Sequence, residues 1–246
     1  MQIMTNPNLK EYEYTVGILI FHRNQELVEM AKDCIGSVLA CVDRDKTQII
    51  IVDNGSTSRY EWEKHCDVYV RYSENRGISA GWNGILKHAR GKYINILGDD
   101  TIVAPGYLEG LKEALQMPDA GISNVHVEHL PHGIGITEDY KWYSGACFMM
   151  SQDTYKKVGL FDEGIFPANH EDLDYWTRVY QAGLKLYKNQ TISIQHKEGQ
   201  TVHAPDISSQ NDKTRDYFIK KHSFNPIPVF YGEESIYDVL RGLRGL

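Results

Sequence analysis

Three acidic sites and one histidine hold the residues of this sequence that could do chemistry. Asp99 and Asp100 stand side by side after an apolar run, Lys92 to Leu97 (KYINIL). Adjacent carboxylates repel each other unless a cation or a positive ligand relieves them. Oxygen donors suit a hard divalent ion such as Mg²⁺ or Mn²⁺, and such an ion can bridge a diphosphate and stabilise its departure. Gly98-Asp99-Asp100 is equally the composition of an ordinary acidic turn. Glu171, Asp172 and Asp174 open a second segment. One of them could act as general base, taking the proton of an attacking hydroxyl. Negative charge at a helix start is also favoured by the helix dipole without any catalytic role. Asp53 heads the turn Asp53-Asn54-Gly55-Ser56. Its carboxylate can accept hydrogen bonds from a nucleobase or ribose, or cap the next helix. His196 closes a strand ahead of Lys197-Glu198-Gly199-Gln200-Thr201, and a lone histidine serves as a ligand or as structure.

Two further patterns narrow the chemistry. Asn75-Arg76-Gly77-Ile78-Ser79-Ala80-Gly81-Trp82-Asn83 places glycines at a helix start, where a ligand can approach the backbone closely. It is not G-x-G-x-x-G after the first strand, and it lacks the G-K-[ST] ending of a P-loop. A dinucleotide dehydrogenase and a P-loop kinase are disfavoured on these missing parts. His126-x-x-His129-x-x-His132 has the residue type of a transition-metal site, but Pro131 breaks any regular helix through it.

The elements that must position these residues alternate between strand and helix. Val16 to Phe21 and Gln48 to Val52 are continuous apolar runs, as strands buried on both faces should be. Glu26 to Ala40 has helical spacing, Val68 to Tyr72 is a weaker strand, and Ser79 to Ala89 is a helix closed by Gly91. Lys92 to Leu97 is a fourth strand, and Pro105 opens another helix. This alternation predicts a mostly parallel central sheet flanked by helices, with ligands at the carboxyl ends of the strands. The polar punctuation falls there: His22-Arg23-Asn24, Asp53-Asn54-Gly55 and Gly98-Asp99-Asp100. Further along, Tyr143 to Ser151 reads as a strand, Gln152 to Val158 and Glu171 to Ala182 as helices, and Lys185 to Tyr187 and Thr191 to Gln195 as two short strands. Residues 1–204 read as one domain and 205–246 as a C-terminal extension packed on it. In Ser235 to Leu246, Ile236, Val239, Leu240 and Leu243 lie near helical spacing, beside Arg241 and Arg244. That stripe suits packing on its own domain, or docking to a partner or a membrane surface.

The chain has 246 residues, enough for one large α/β domain or two small ones, and an ordinary apolar content of 41%. Its net charge of −7, from 26 basic and 33 acidic residues, carries no strong nucleic-acid signal. Cys34, Cys41, Cys66 and Cys147 form no C-x-x-C pair and read as reduced thiols. Met1 to Glu13 lacks the apolar core of a signal peptide, and no stretch approaches the ~20 apolar residues of a membrane span. The expectation is a cytoplasmic protein with at most peripheral contact to the inner face of a membrane.

In order and spacing, these pieces resemble the GT-A glycosyltransferases of family 2. The matching text is Val52-Asp53-Asn54-Gly55-Ser56-Thr57, Asn75-x-Gly77 to Asn83, and Leu97-Gly98-Asp99-Asp100. It continues through Ser144-Gly145-Ala146-Cys147, Gly159-Leu160-Phe161-Asp162-Glu163, Glu171-Asp172-Leu173-Asp174 and His196-x-x-Gly199-x-Thr201. The resemblance implies a Rossmann-like GT-A domain and a nucleotide-diphosphate-sugar donor, of UDP or dTDP type. The sugar would pass with inversion to a hydroxyl on a saccharide or other acceptor, in surface polysaccharide or other glycoconjugate synthesis. By the same resemblance, Asp53 contacts the base and Phe21 walls its pocket. Asn75, Arg76, Gly77, Asn83 and Asp99 belong to the donor side, and Trp142 and Gly145 to the acceptor side. Asp100 and His196 hold Mn²⁺ or Mg²⁺, and Asp172 is the base with Glu171 beside it.

Two positions depart from the family. Gly98 stands at the first position of D-x-D, which leaves the metal role to Asp100 with Asp99 in support. Phe21-His22-Arg23-Asn24 stands where relatives often carry Thr-Tyr-Asn-Arg, which leaves the base open. A sugar nucleotidyltransferase would share the core and the acidic site, but its glycine-rich loop after the first strand is missing, since Phe21 to Glu26 contains no glycine. A GT-A fold that has lost catalysis fits Gly98 but not the intact Asp100, Asp172 and His196. Glycosylation of a modified nucleic-acid base or of a protein would use the same catalytic parts.

Overall fold

The computed structural model describes residues 1–5, 10–58, 60–128, 133–138, 144–197 and 205–243. The chain runs through β1 (Gln2–Thr5), β2 (Tyr12–Ile20), α1 (Gln25–Cys41), β3 (Thr47–Asp53), β4 (Val68–Arg71), α2 (Gly77–His88) and β5 (Gly91–Gly98). It continues with β6 (Thr101–Ile102), α3 (Tyr107–Ala114), β7 (Ala120–Val127), β8 (Ile136–Glu138), β9 (Cys147–Ser151), α4 (Gln152–Val158) and α5 (Glu171–Gln181). The last elements are β10 (Lys185–His196), α6 (Pro205–Ser208), α7 (Asn211–His222), α8 (Ile227–Phe230) and α9 (Ile236–Leu243).

Among the described residues the strands form one sheet, in the order β1-β4-β3-β2-β5-β9-β7-β10-β6, with β8 paired to β10. β4, β3, β2 and β5 run parallel, as do β7 and β10, while β9 runs antiparallel to both of its neighbours. The fold is thus a mixed α/β sheet flanked by helices. The continuous apolar runs become β2 and β3, each with a parallel neighbour on both edges and a helical layer on both faces. Side chains alternate across the sheet. Ile49 and Ile51 enter the core shared with α1 and α3, and Ile50 and Val52 enter the core shared with α2 and α5.

Local chemistry sets the helix starts. Asn24 caps α1 by accepting from the Leu27 N–H at 3.0 Å, and Ser151 caps α4 by accepting from the Thr154 N–H at 3.0 Å. α9 buries Ile236, Tyr237 and Leu240 in the same core as Trp176 and Val179 of α5, so its apolar stripe packs on the chain itself. Phe218 and Phe224 join that core too.

Several elements differ from the sequence reading. Lys185 to Tyr187 and Thr191 to Gln195 belong to one strand, β10, whose pairing with β7 shifts register between Asn189 and Ser193. That irregularity, rather than a break, accounts for the polar stretch between the two runs. β9 starts only at Cys147. β1 pairs with β4 at the sheet edge, although the N-terminal segment is too polar to announce a strand. The four cysteines are free. Among the described residues no helix is long and apolar enough to cross a membrane.

Candidate active site

The parallel strands β2, β3 and β5 deliver their carboxyl ends to one side of the sheet, where a cavity of about 260 Å³ opens. Leu19 and Phe21 line it from the end of β2, Asn54 from the end of β3, and Gly98, Asp99 and Asp100 from the end of β5. Ser144-Gly145-Ala146, which meets β5 where the Gly98 N–H donates to the Ala146 carbonyl at 2.8 Å, the segment from Pro167 to Asp172, and His196 beside Asp100 complete the lining.

Asp100 and His196 meet because β6 and β10 pair antiparallel, with Thr101 opposite His196. The Asp100 Oδ2 and His196 Nε2 atoms are 3.1 Å apart, and the Lys197 N–H donates to the Asp100 carbonyl at 2.9 Å. A carboxylate oxygen and an imidazole nitrogen this close fit a divalent cation such as Mn²⁺. Two protein donors leave the other positions to phosphate oxygens and water, as is usual for ions that bind with a diphosphate. Among the described residues, no three or more His, Cys, Asp or Glu side chains converge to hold an ion on their own. Gly98 has a steric reason: a Cβ there would stand 2.8 Å from Asp100 Oδ1. Asp99 turns the other way, with Oδ2 3.2 Å from Nε2 of the fully buried His22. Burial raises the Asp99 carboxyl above its usual range, the neighbouring His22 ring works against this, and the Asp100 charge adds to it.

Across the cavity, α5 begins with three carboxylates in its first turn. Burial raises both the Asp172 and Glu171 carboxyls. Burial, with the Asp172 charge adding to it, takes Glu171 to about 8. Glu171 Oε2 is buried and has no hydrogen-bond partner. Asp172 Oδ1 accepts from the Leu173 N–H at 2.7 Å. Gly145 allows the close approach here, since a Cβ on it would lie 3.0 Å from Trp82 Cη2 and 3.1 Å from Asp172 Oδ2. Trp82 lines the floor and is held edge-on against Phe148 and Phe161, at 5.3 and 4.9 Å between ring centroids.

The remaining residues that the resemblance assigns to the donor side hold the loops together. Asp53 is fully buried; Oδ1 accepts from the Ser56 N–H at 2.8 Å, and Oδ2 accepts from the Tyr69 hydroxyl at 3.0 Å and from the Arg71 guanidinium. Asn54 donates to Asn75 Oδ1 at 2.9 Å and accepts from the Arg76 N–H at 2.9 Å, which joins the β3 turn to the start of α2. Gly77 adopts φ 83°, and a Cβ there would press on Phe166 at 2.9 Å. Arg76 lies over the Tyr72 ring at 5.0 Å and reaches Glu163 at 3.4 Å. Asn83 is buried with both ends of its amide used: it accepts from the Phe161 N–H at 2.8 Å and donates to the Phe161 carbonyl and Glu163 Oε1, both at 3.0 Å.

Of the residues read from the sequence, the cavity brings together Phe21, Asn75, Asp99, Asp100, Gly145, Glu171, Asp172 and His196. Asp53, Arg76, Gly77 and Asn83 stand behind or beside this lining. Trp142, His129, His132, Gly199 and Thr201 lie outside the described residues, while His126 is buried on β7. The sequence reading missed His22, Asn54, Trp82 and Asn169 as individual site residues. His22 and Asn54 do fall in the polar punctuation at strand ends; nothing local marks Asn169.

A family model described as Glycosyl transferase family 2 matches residues 15–196. An N-acetylglucosaminyltransferase of Azorhizobium caulinodans is 24% identical over 97 residues, a match covering 36% of this chain and 24% of that relative. The chain thus spans about a quarter of that relative's length. Solved structures share the fold at low identity. The mannosyltransferase PcManGT from Pyrobaculum calidifontis, in complex with GDP-Man and Mn²⁺, gives a TM-score of 0.66 at 14% identity, over 95% of this chain and 72% of that one. GalNAc-T7 with UDP, GalNAc and Mn²⁺ gives 0.63 at 13% identity, over 85% of this chain and 50% of that one. TarS 1–349 of S. aureus gives 0.62 at 10% identity, over 89% of this chain and 74% of that one.

Proposed function

The chain belongs to glycosyl transferase family 2, and from that premise we propose that it moves a sugar from a UDP- or dTDP-type nucleotide sugar to an acceptor hydroxyl, with inversion. The observation that carries this reading is the cavity itself, which has the Asp100–His196 pair on one wall and Glu171 and Asp172 on the other. One wall suits a diphosphate leaving group, and the other suits a hydroxyl that must lose a proton.

In the proposed reaction, Asp172 takes the proton of the acceptor hydroxyl as its oxygen bonds to the anomeric carbon. The bond from that carbon to the diphosphate breaks, and the nucleoside diphosphate leaves with the bonding pair. Attack from the face opposite the leaving group inverts the carbon. A carboxyl raised by burial is a better base near neutral pH than an ordinary aspartate, so the environment of Asp172 suits the task. Asp100 and His196 would hold a divalent cation, Mn²⁺ or Mg²⁺, whose charge when bound offsets that of the diphosphate. Phe21, Asn75 and Asp99 would touch the donor, and Asp53, Arg76, Gly77 and Asn83 would shape the loops that receive it. Gly145 would leave room on the acceptor side. An acceptor rich in hydroxyls, such as a saccharide, suits the acidic wall, because carboxylates accept hydrogen bonds from hydroxyls.

Calorimetry with UDP, dTDP, GDP and CDP, each with and without Mn²⁺, tests the donor side. The reading expects Mn²⁺-dependent binding of UDP or dTDP. Metal-independent binding, or no binding by the folded protein, would count against it.

A further inference from the structure

The two carboxylates at the start of α5 follow two residues in the left-handed region, which Asn and His adopt more readily than most non-glycine residues but which is uncommon for a consecutive pair. Asn169 and His170, directly ahead of Glu171, both have φ 73°, a left-handed conformation that non-glycine residues seldom adopt. His170 is the N-cap of α5, and its side chain makes no capping bond. Such a conformation persists only where its surroundings over-determine it.

α7, from the C-terminal part of the chain, contacts this segment along its length. At its start, Asn211 accepts from Asn169 Nδ2 at 2.7 Å. In the middle, Phe218 packs on the His170 ring at 5.9 Å between centroids. At its end, the fully buried Asp174 of α5 accepts from His222 Nε2 at 2.7 Å and from Lys221 Nζ at 2.6 Å. Lys221 bridges on to Asp162 at 2.6 Å, and Tyr217 bonds the same carboxylate at 3.1 Å. Asn169, His170, Glu171 and Asp172 all line the cavity, whereas these α7 side chains do not.

We propose that α7 is a brace for the active site: Asn211, Phe218, Lys221 and His222 are positioning residues that hold segment 169–174, and with it the Glu171 and Asp172 carboxylates, against the cavity. The functional half of this inference rests on the assignment of Asp172 as base. The mechanical half stands apart from it. Contacts at both ends and the middle of α7 fix the segment in position and in rotation. Loss of one end should therefore loosen the carboxylates without opening the sheet.

The test compares Asn211→Ala, His222→Leu and His222→Gln with the parent in the full chain, by hydrogen exchange. Asn211 is on the surface, so its truncation leaves the core intact. His222→Gln keeps an N–H donor toward Asp174. The brace predicts that amides of 169–174 exchange about tenfold faster or more in Asn211→Ala and His222→Leu, with β2 and β5 unchanged. His222→Gln should restore most of the protection. Unchanged exchange at 169–174, or equal acceleration there and in β2 and β5, would overturn the brace. A second readout is nucleotide release from the UDP- or dTDP-sugar that the parent turns over. The brace predicts kcat per folded molecule lowered about tenfold or more with KM nearly constant, measured at a temperature where melting shows each variant fully folded, and parent-like kcat in Asn211→Ala and His222→Leu would overturn it. Full turnover in Asp172→Asn would remove the base assignment, and the exchange result would still support the brace.

Discussion

His196 Nε2 lies 3.1 Å from Asp100 Oδ2, although 96 residues separate them in the chain. Strand pairing explains the meeting, because the short β6 turns back against the last residues of β10. Neither side chain is deeply buried, at 20% and 16% exposure, so both stay accessible to a ligand from the cavity. If the pair holds an ion together with a diphosphate, removing either member should weaken metal-dependent binding alone. Asp100→Asn and His196→Ala should each lower Mn²⁺-dependent nucleotide affinity by ~10-fold or more, of the order expected for losing one ligand-shell partner. Calorimetry with and without the ion checks this. Parent-like affinity in both variants would remove the pair from the metal site.

Glu171 should give stability a pH dependence. Its pKa is raised from 4.5 to about 8 in the folded chain, so the folded state keeps a proton that the unfolded state releases above the ordinary carboxyl range. The associated stability is complete at acid pH below 4.5 and is lost as pH rises toward about 8. Glu171→Gln cannot lose that proton. Its Tm relative to the parent should therefore rise between about pH 5 and pH 8, a window set by the raised pKa. Thermal melts across that range decide it, and parallel curves would contradict the assignment.

Gly145→Ala should affect turnover more than folding. The added methyl would meet Trp82 at 3.0 Å and Asp172 Oδ2 at 3.1 Å. The indole is locked among Phe148 and Phe161, so the carboxylate is the group with room to yield. Overpacking of this kind costs about 1–3 kcal/mol of stability. Displacing the base by a fraction of an ångström should reduce turnover by ~10–100-fold. Paired melting and rate measurements would show whether the rate loss exceeds the stability loss.

Asn83→Ala should destabilise the chain. The amide satisfies the Phe161 backbone on both its N–H and its carbonyl, and the site is buried. An unpaired buried N–H costs about 1–3 kcal/mol. Denaturant unfolding measures this, and a change near zero would mean that water or a neighbour replaces the amide.

What the sequence made legible was local. The apolar runs at β2, β3 and β5 announce buried strands, and the carboxylates at their ends announce where a ligand sits, because strand burial and ligand placement follow from pattern alone. Asp100, Asp172 and His196 could be assembled only through a resemblance, since they reach one cavity from positions 72 and 96 residues apart. Asn83 sits in a ligand-like stretch, yet its partner is the backbone of Phe161, 78 residues on. His22 and Asp99 face each other because β2 and β5 are parallel neighbours, and a one-dimensional pattern does not carry that. Asn169 and His170 are of types that tolerate the left-handed region, but their contacts with α7 lie 42 and 48 residues further along the chain, and no local pattern carries that.

Asp172 is proposed to remove the acceptor proton, and everything else in the reaction depends on that step. This role is tested most directly by measuring nucleotide release from UDP-, dTDP- and GDP-sugars, with Mn²⁺ and a saccharide acceptor mixture, for the parent and Asp172→Asn. As the base, Asp172 should on replacement by Asn lower turnover by ~10²–10⁴-fold, with Mn²⁺-dependent nucleotide affinity retained. Parent-like turnover in Asp172→Asn would contradict it.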